Sequence, residues 1–479
     1  MRFCHLSVFL LALVCTLWRS PRAEAITILP SQSCASTWEG KSLSQTQFDP
    51  LQDADYRAYQ NRLRAKSWHR EKCNKPWTIL ISMMVSPDLE KYAIADLLQL
   101  EKQIEGSALQ ADVIIQIEEQ QSRRVRRYHL HQTSTSIPAP NTSEELAQLS
   151  FNQLKSPIIS EFYAHSLIPA RKRFANFVRW GVQDYPSENL MLVFWGHGKG
   201  WQTLSELNLR ATLAKIQCWR KKPLDVLAWD ACFMQSLEDA VEVAPWTRFV
   251  CGSEDIESCA GYDYTNVVQA VTHPQQHSSD PALHVAASLP TLYEKSFNSN
   301  GGSQANLDPK ITETLTGSTL KSQEVLENLL PALNQLAQEL QKWTHQSDIW
   351  QSVKMVIRKS PTYAGGTRDL GIFLMELLGV IKDIRPEKTT RDVDYLTQLI
   401  EHTCMVLNRS ILRTALGKQY AFPEDRQICQ AAGVSIFLPR TSSEFHEQIK
   451  LISRSELYLS HPFFRVRSPW AGWVRSMYR

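Results

Sequence analysis

Two apolar runs in this chain end in reactive side chains. The run from Leu190 to Gly196 stops at His197 and Gly198, and the run from Leu224 to Trp229 stops at Asp230, Ala231 and Cys232. A histidine and a cysteine delivered at adjacent strand ends are the residue types of a thiol nucleophile and its acid–base partner. Gly198 lacks a Cβ, so its N–H can approach a carbonyl closely; with the N–H of Cys232 it makes a candidate oxyanion hole. A cysteine closing an apolar strand is, taken alone, most often a buried structural thiol. What favours catalysis is the conjunction with His197 and with Asp230, an acid two residues before the thiol at a place where burial would be costly.

These side chains need a scaffold that fixes the backbone and exposes the loop after it, and the ends of buried parallel strands do this in open α/β sheets. The 35 residues from His197 to Cys232 leave room for one crossover helix, which the spacing puts at 204–216. Upstream, Trp77–Val85 reads as a strand, Asp88–Ile104 as a helix and Asp112–Ile117 as a strand. Phe174–Val182 reads as a helix feeding the His197 strand. After Cys232, Met234–Val243 has helical spacing and Arg248–Gly252 makes a further strand, ending at Ser253, Glu254 and Asp255. This alternation predicts an α/β fold with a largely parallel sheet covered by helices on both faces.

Beyond Tyr264 the segments become mostly helical. Ala282–Lys295 is one, and Ser322–Trp343 is another, with Val325, Leu326, Leu329, Leu330, Leu333, Leu336 and Leu340 on one face and a kink at Pro331. That leucine stripe reads as core. Gly433–Pro439 is a late strand and Pro469–Tyr478 a terminal helix. The resulting division is 1–25 signal peptide, 26–75 N-terminal extension or prosegment, 76–275 catalytic domain and 276–479 mostly helical C-terminal region packed on it.

The signal peptide is read from Arg2, the apolar stretch from Leu6 to Trp18 and the small-x-small site Ala23–Ala25. The stretch is short for a membrane span and no second one occurs, so the chain reads as exported, periplasmic or secreted, with no stable membrane span after cleavage. Cleavage removes Cys4 and Cys15. With Cys232 set apart, Cys34, Cys73, Cys218, Cys251, Cys259, Cys404 and Cys429 remain, an odd set that implies a further free thiol or an intermolecular bond. A net charge of +3 over 479 residues, with no basic stripe carrying interleaved aromatics, argues against nucleic acid as a partner. The one dense basic cluster, Arg123–Arg127, alternates as a solvated edge strand would. His129 and His131 read as surface polar positions. No cysteine or histidine spacing fits zinc and no oxygen-rich loop fits calcium, so neither metal nor cofactor is expected.

Several of these strings in order resemble the clostripain family of cysteine peptidases, which has a caspase-like fold. Pro87–Glu90 resembles its Asp-Leu-Glu helix start, Trp195–Trp201 its histidine motif and Trp229–Met234 its cysteine motif. Gly252–Asp255 with Gly261–Tyr264 resembles the acidic turn that follows, and Arg368–Gly371 and Gly433–Ile436 resemble late landmarks. The resemblance spans most of 77–479. It departs at Ser258, Cys259 and Ala260, where a proline and a glycine are more usual, and in the short, largely helical interval between the histidine and the cysteine.

The resemblance implies His197 as the catalytic histidine, Cys232 as the nucleophile that forms a thioester, and Gly198 and Cys232 amides around the oxyanion. It also implies Asp230 at the bottom of the S1 pocket, with Glu254 and Asp255 adding negative potential. The expected partners are then peptides or proteins with Arg or Lys at P1. A non-catalytic binding protein on the same fold, or a transpeptidase or self-processing maturation enzyme using the same acyl-enzyme, are the competing readings.

Overall fold

The computed structural model of the protein describes residues 75–478 except 108–109, 131–139, 141, 165–167, 201–202, 204–205, 273–278, 345–346, 364–365, 384–389, 418–431 and 452–467. The expected signal peptide and nearly all of the extension lie outside these residues. A nine-stranded sheet is built from β1 (Lys75–Val85), β2 (Ala111–Glu119), β3 (Arg124–His129), β4 (Ile158–Tyr163), β5 (Ser187–Gly196), β6 (Leu224–Asp230), β7 (Thr247–Gly252), β8 (Thr316–Lys321) and, with the three-residue β9 (Thr367–Asp369) lying outside it, β10 (Ile411–Leu416). Its order is β10-β8-β7-β6-β5-β1-β2-β3-β4. The central strands β2, β1, β5, β6 and β7 are parallel, and antiparallel pairs close both ends.

The central strands are nearly continuous apolar runs because both faces are covered. Along β1, Ile79, Ile81 and Met83 join one core while Leu80 joins the opposite one, the two-residue period of a strand. The first core is capped by α1 (Glu90–Ser107), and the second by α2 (Ala170–Asp184) and α3 (Leu209–Arg220), the crossover between β5 and β6. Short α4 (Leu237–Val243) follows the cysteine; α5 (Tyr264–Thr272) and α6 (Pro281–Ser296) complete the first face. Each fully buried Leu or Ile in these layers stabilises the fold by about 1.5–3 kcal/mol relative to exposure.

The C-terminal region is largely helical, with α7 (Leu330–Trp343), α8 (Ser347–Lys359), α9 (Leu370–Asp383), α10 (Thr390–Ser410) and α11 (Pro469–Ser476) around a third apolar core that also takes in Leu237 and Ala240 of α4. Strands β8 and β10 nevertheless come from beyond residue 276, so the sheet draws on both sides of the expected boundary. The late strand, β11 (Ser435–Phe437), pairs with β9 (Thr367–Asp369) outside the main sheet. The expected kink at Pro331 takes the form of a π turn over Val325–Leu329, in which Leu330 N–H reaches back to the Val325 carbonyl. Proline has no N–H for the carbonyl four residues earlier, and the wider turn absorbs the mismatch. No helix among the described residues is long and apolar enough to cross a membrane.

The basic cluster is not an edge strand. β3 lies between β2 and β4, and Arg127 is buried with its guanidinium 5.3–5.9 Å from the rings of Trp180, Phe162 and Phe177, while its Nε donates to Gln116 at 2.9 Å. Arg126 pairs with Glu119 and Glu161. His129 is likewise buried, 2.8 Å from Asp112 through Nε2. Cation–π contacts and opposed carboxylates offset the desolvation that an apolar setting imposes on these groups.

Candidate active site

Strands β5 and β6 pair with Trp195 opposite Asp230. His197 and Cys232 each lie two residues past that level, so the register delivers both to the same edge of the sheet. The two loops touch: a Cβ on Gly198 would stand 1.8 Å from the Cys232 carbonyl oxygen and 2.9 Å from the Cys232 nitrogen. Only glycine permits this approach. Its consequence is that the backbone after His197 lies directly against the backbone of Cys232.

The loop that carries Cys232 is tightly held. Phe233 has φ of +59°, a left-handed conformation that costs a non-glycine residue about 1–3 kcal/mol and needs surrounding structure to persist. That structure comes from three backbone bonds: Phe233 N to Asp255 O at 3.0 Å, Gln235 N to Ser253 O at 2.9 Å, and Ser435 N to Gln235 O at 2.9 Å. Ser236 then caps α4 through the Asp239 amide at 3.1 Å. Asp255 thus serves this loop through its main chain.

The thiol itself is sequestered. Cys232 Sγ accepts from Glu257 N at 3.3 Å and donates to Glu257 O at 3.7 Å. Burial, followed by the Glu257 carboxyl, pushes its pKa up to about 12, which keeps it protonated at neutral pH. His197 Nε2 lies 2.9 Å from Asp88 Oδ2, and no hydrogen bond joins His197 to Cys232 among the described contacts. Asp88 and Glu257 both escaped the sequence reading. Asp88 stands 109 residues before the histidine, and Glu257 acts on the sulfur through main-chain atoms that carry no sequence signal.

Asp230 is almost fully buried at the end of β6. Its Oδ2 accepts from Tyr262 N at 3.2 Å and Tyr264 Oη at 2.9 Å. Burial outweighs these bonds and raises its pKa to about 7. Gly261, at φ +55°, makes room for it, since a Cβ there would fall 2.5 Å from Oδ1. Two more buried carboxyls crowd the same place. Asp96, bonded by Trp195 Nε1 at 2.8 Å, and Glu257 are both raised, first by burial and next by Asp230. Glu257 Oε2 has no hydrogen-bond partner, and no Lys, Arg or His pairs with any of the three among the described residues.

Glu254 is not brought to this cluster. Its buried carboxyl accepts from Tyr363 Oη at 3.2 Å and is raised by burial and then by Asp369. Asp369, raised to about 6 chiefly by burial, accepts from the amides of Ile372, Ala432 and Gly433. Glu254 therefore belongs to the seam between sheet and C-terminal helices. The five cysteines described, Cys218, Cys232, Cys251, Cys259 and Cys404, are free thiols.

A model of the clostripain family matches residues 82–450. Among solved structures, a secreted C11 cysteine protease from Bacteroides thetaiotaomicron, bound to an irreversible peptide inhibitor, aligns with a TM-score of 0.50 at 16% identity over 81% of this chain and 99% of that one. An inactive zymogen C11 protease from Parabacteroides distasonis aligns with a TM-score of 0.52 at 15% identity over 85% and 99%. No curated protein matches.

Proposed function

The chain belongs to the clostripain family of cysteine endopeptidases, and on that premise we propose that it is exported and cuts peptide bonds after Lys or Arg with His197 and Cys232. The observation that carries the specificity is Asp230: a buried carboxyl two residues from the candidate nucleophile, crowded by Asp96 and Glu257 and with no cation beside it. A Lys or Arg side chain entering there supplies the missing charge and lets Asp230 ionise. A neutral or acidic side chain leaves the cluster uncompensated, a difference of about 3–5 kcal/mol for a buried pair.

In the reaction, the sulfur attacks the carbonyl carbon and the amides of Gly198 and Cys232 receive the developing oxyanion. The S–C bond forms, the C–N bond breaks, and the thiol proton passes through His197 to the departing amine. Water then attacks the thioester, His197 takes a proton from it, and the thiol is restored. Before this can begin, the sulfur must leave the grip of Glu257. The form described here is latent on this reading, in keeping with the raised thiol. Export is supported by the N-terminal sequence pattern and by the secreted relative.

Fluorogenic peptides with Arg, Lys, Asp or Asn at P1, assayed with the full chain and with Cys232→Ala, test the proposal. Cleavage confined to Arg and Lys and lost in the variant is expected. Cleavage after Asp or Asn overturns the assignment of Asp230, and undiminished activity of the variant overturns the mechanism. Silence on every peptide, before and after loss of residues 26–75 followed by mass, favours the binding-protein reading.

A further inference from the structure

Strands β1 and β5 run side by side with Met84 opposite Gly196. Gly196 has φ of +140°, and a Cβ there would stand 2.7 Å from the Met84 carbonyl oxygen, so the close pairing just before His197 depends on glycine. On the β1 side, Leu89 N bonds back to Ser86 O at 3.0 Å, a tight turn pinned by the buried Leu89 side chain before α1 begins. This turn aims Asp88 across the strand ends, where Oδ2 meets His197 Nε2 at 2.9 Å. Ser86, then the Asp88 backbone amide and the imidazole, hold the Asp88 carboxyl below its ordinary range, so it is the charged form that faces the ring.

An imidazole with one nitrogen held by a carboxylate has its other nitrogen fixed in direction and protonation. With Nε2–H donated to Asp88, only Nδ1 is left to exchange protons. Resting on the role of His197 proposed above, we propose that Asp88 is the positioning residue of the histidine: it selects the tautomer and turns Nδ1 toward the scissile bond. During acylation the thiol proton arrives at Nδ1, giving an imidazolium whose charge the Asp88 carboxylate opposes. As the C–N bond breaks, that proton goes from Nδ1 to the departing amine nitrogen. Asp88 keeps its Nε2–H bond throughout and takes up no proton.

The leaving group separates this role from a merely structural one. A departing amine must be protonated, whereas p-nitrophenolate departs without a proton. The test compares kcat and KM of the full chain with Asp88→Asn, Asp88→Ala and Asp88→Glu on a P1-Lys anilide and on the p-nitrophenyl ester of the same acyl group. Asp88 is 63% exposed, and its removal leaves the core intact. Losing it is expected to lower kcat on the anilide by about 10- to 100-fold, less than the roughly 10⁴ of a buried triad acid. KM stays within about threefold, the ester rate falls clearly less than the anilide rate because the ester calls on His197 to take the thiol and water protons but not to protonate the leaving group, and Asp88→Glu restores part of the loss. Equal losses on both substrates, or an unchanged anilide rate, overturn the proposal while Cys232→Ala remains inactive. Hydrolysis that survives in Cys232→Ala overturns the parent reading and this one together.

Discussion

Gly198 and Cys232 meet backbone to backbone, with 1.8 Å between the Cys232 carbonyl oxygen and the place a Gly198 Cβ would occupy. The contact is between main chains, so no flexible side chain can give way. Gly198→Ala must displace one loop or the other. We expect a destabilisation of about 1–3 kcal/mol, typical of overpacking, seen as a lowered Tm, together with loss of peptide hydrolysis. Wild-type stability and activity in Gly198→Ala would show that the two loops separate freely.

Asp230 makes the stability of the resting protein depend on pH. Its folded pKa of about 7 lies above the value of 3.8 for an unperturbed aspartate, so the folded state holds a proton that the unfolded state has already released. Its stabilising contribution is full below pH 3.8 and is lost as pH rises through about 7. Asp230→Asn removes the dependence. The Tm of the variant is therefore expected to gain on that of the wild type between pH 5 and pH 8, while kcat/KM for P1-Arg and P1-Lys peptides falls by about 100-fold or more. A Tm difference that shrinks with rising pH contradicts the assignment.

Cys232 in its latent setting should resist alkylation. With a pKa of about 12, its thiolate fraction at pH 7.5 is about 10³ below that of an ordinary cysteine. Iodoacetamide followed by peptide mass mapping should label exposed Cys218 well before Cys232. A basic P1 ligand that draws the sulfur away from Glu257 should narrow the gap. Labelling of Cys232 ahead of Cys218 in the unliganded protein would rule out the latent state.

Glu254 separates the seam from the specificity site. Glu254→Gln keeps an acceptor for Tyr363 and replaces the ionisable carboxyl next to Asp369 with a neutral amide. The expected result is equal or greater thermal stability at pH 8, where Asp369 is ionised and a second buried carboxyl beside it is unfavourable, and an unaltered Arg/Lys preference. A shift in P1 preference would place Glu254 in the substrate pocket after all.

The parts of the site that were legible in the sequence are those written as local strings. β5 and β6 announce themselves because strands buried on both faces are unbroken apolar runs, and His197, Asp230 and Cys232 stand where those runs stop. The parts that were not legible depend on distant partners. The burial of Arg127 rests on Phe162, Phe177 and Trp180, which arrive from β4 and α2, so its alternation with Val125 looked like a wet edge. Glu254 looked like a pocket acid because it follows β7, yet Asp369 and Tyr363 in the C-terminal region decide where its carboxyl goes. The crowding of Asp96 against Asp230 was equally hidden, since α1 carries Asp96 in from far upstream. Strands β8 and β10 were lost among helices because both are short and their sequences are only partly apolar, although β8 is buried between β7 and β10.

The seam between α4 and β11 has a bearing on when this protein can first act. Phe437 N bonds to Glu238 Oε1 at 2.9 Å across 199 residues, next to the bond from Ser435 that steadies the loop after Cys232. A chain emerging from the ribosome therefore carries His197 and Cys232 for a long stretch of synthesis without the strand that braces them, and contacts this far apart in sequence form late. The loop that carries Cys232 therefore gains this brace only after the chain has been made out to β11.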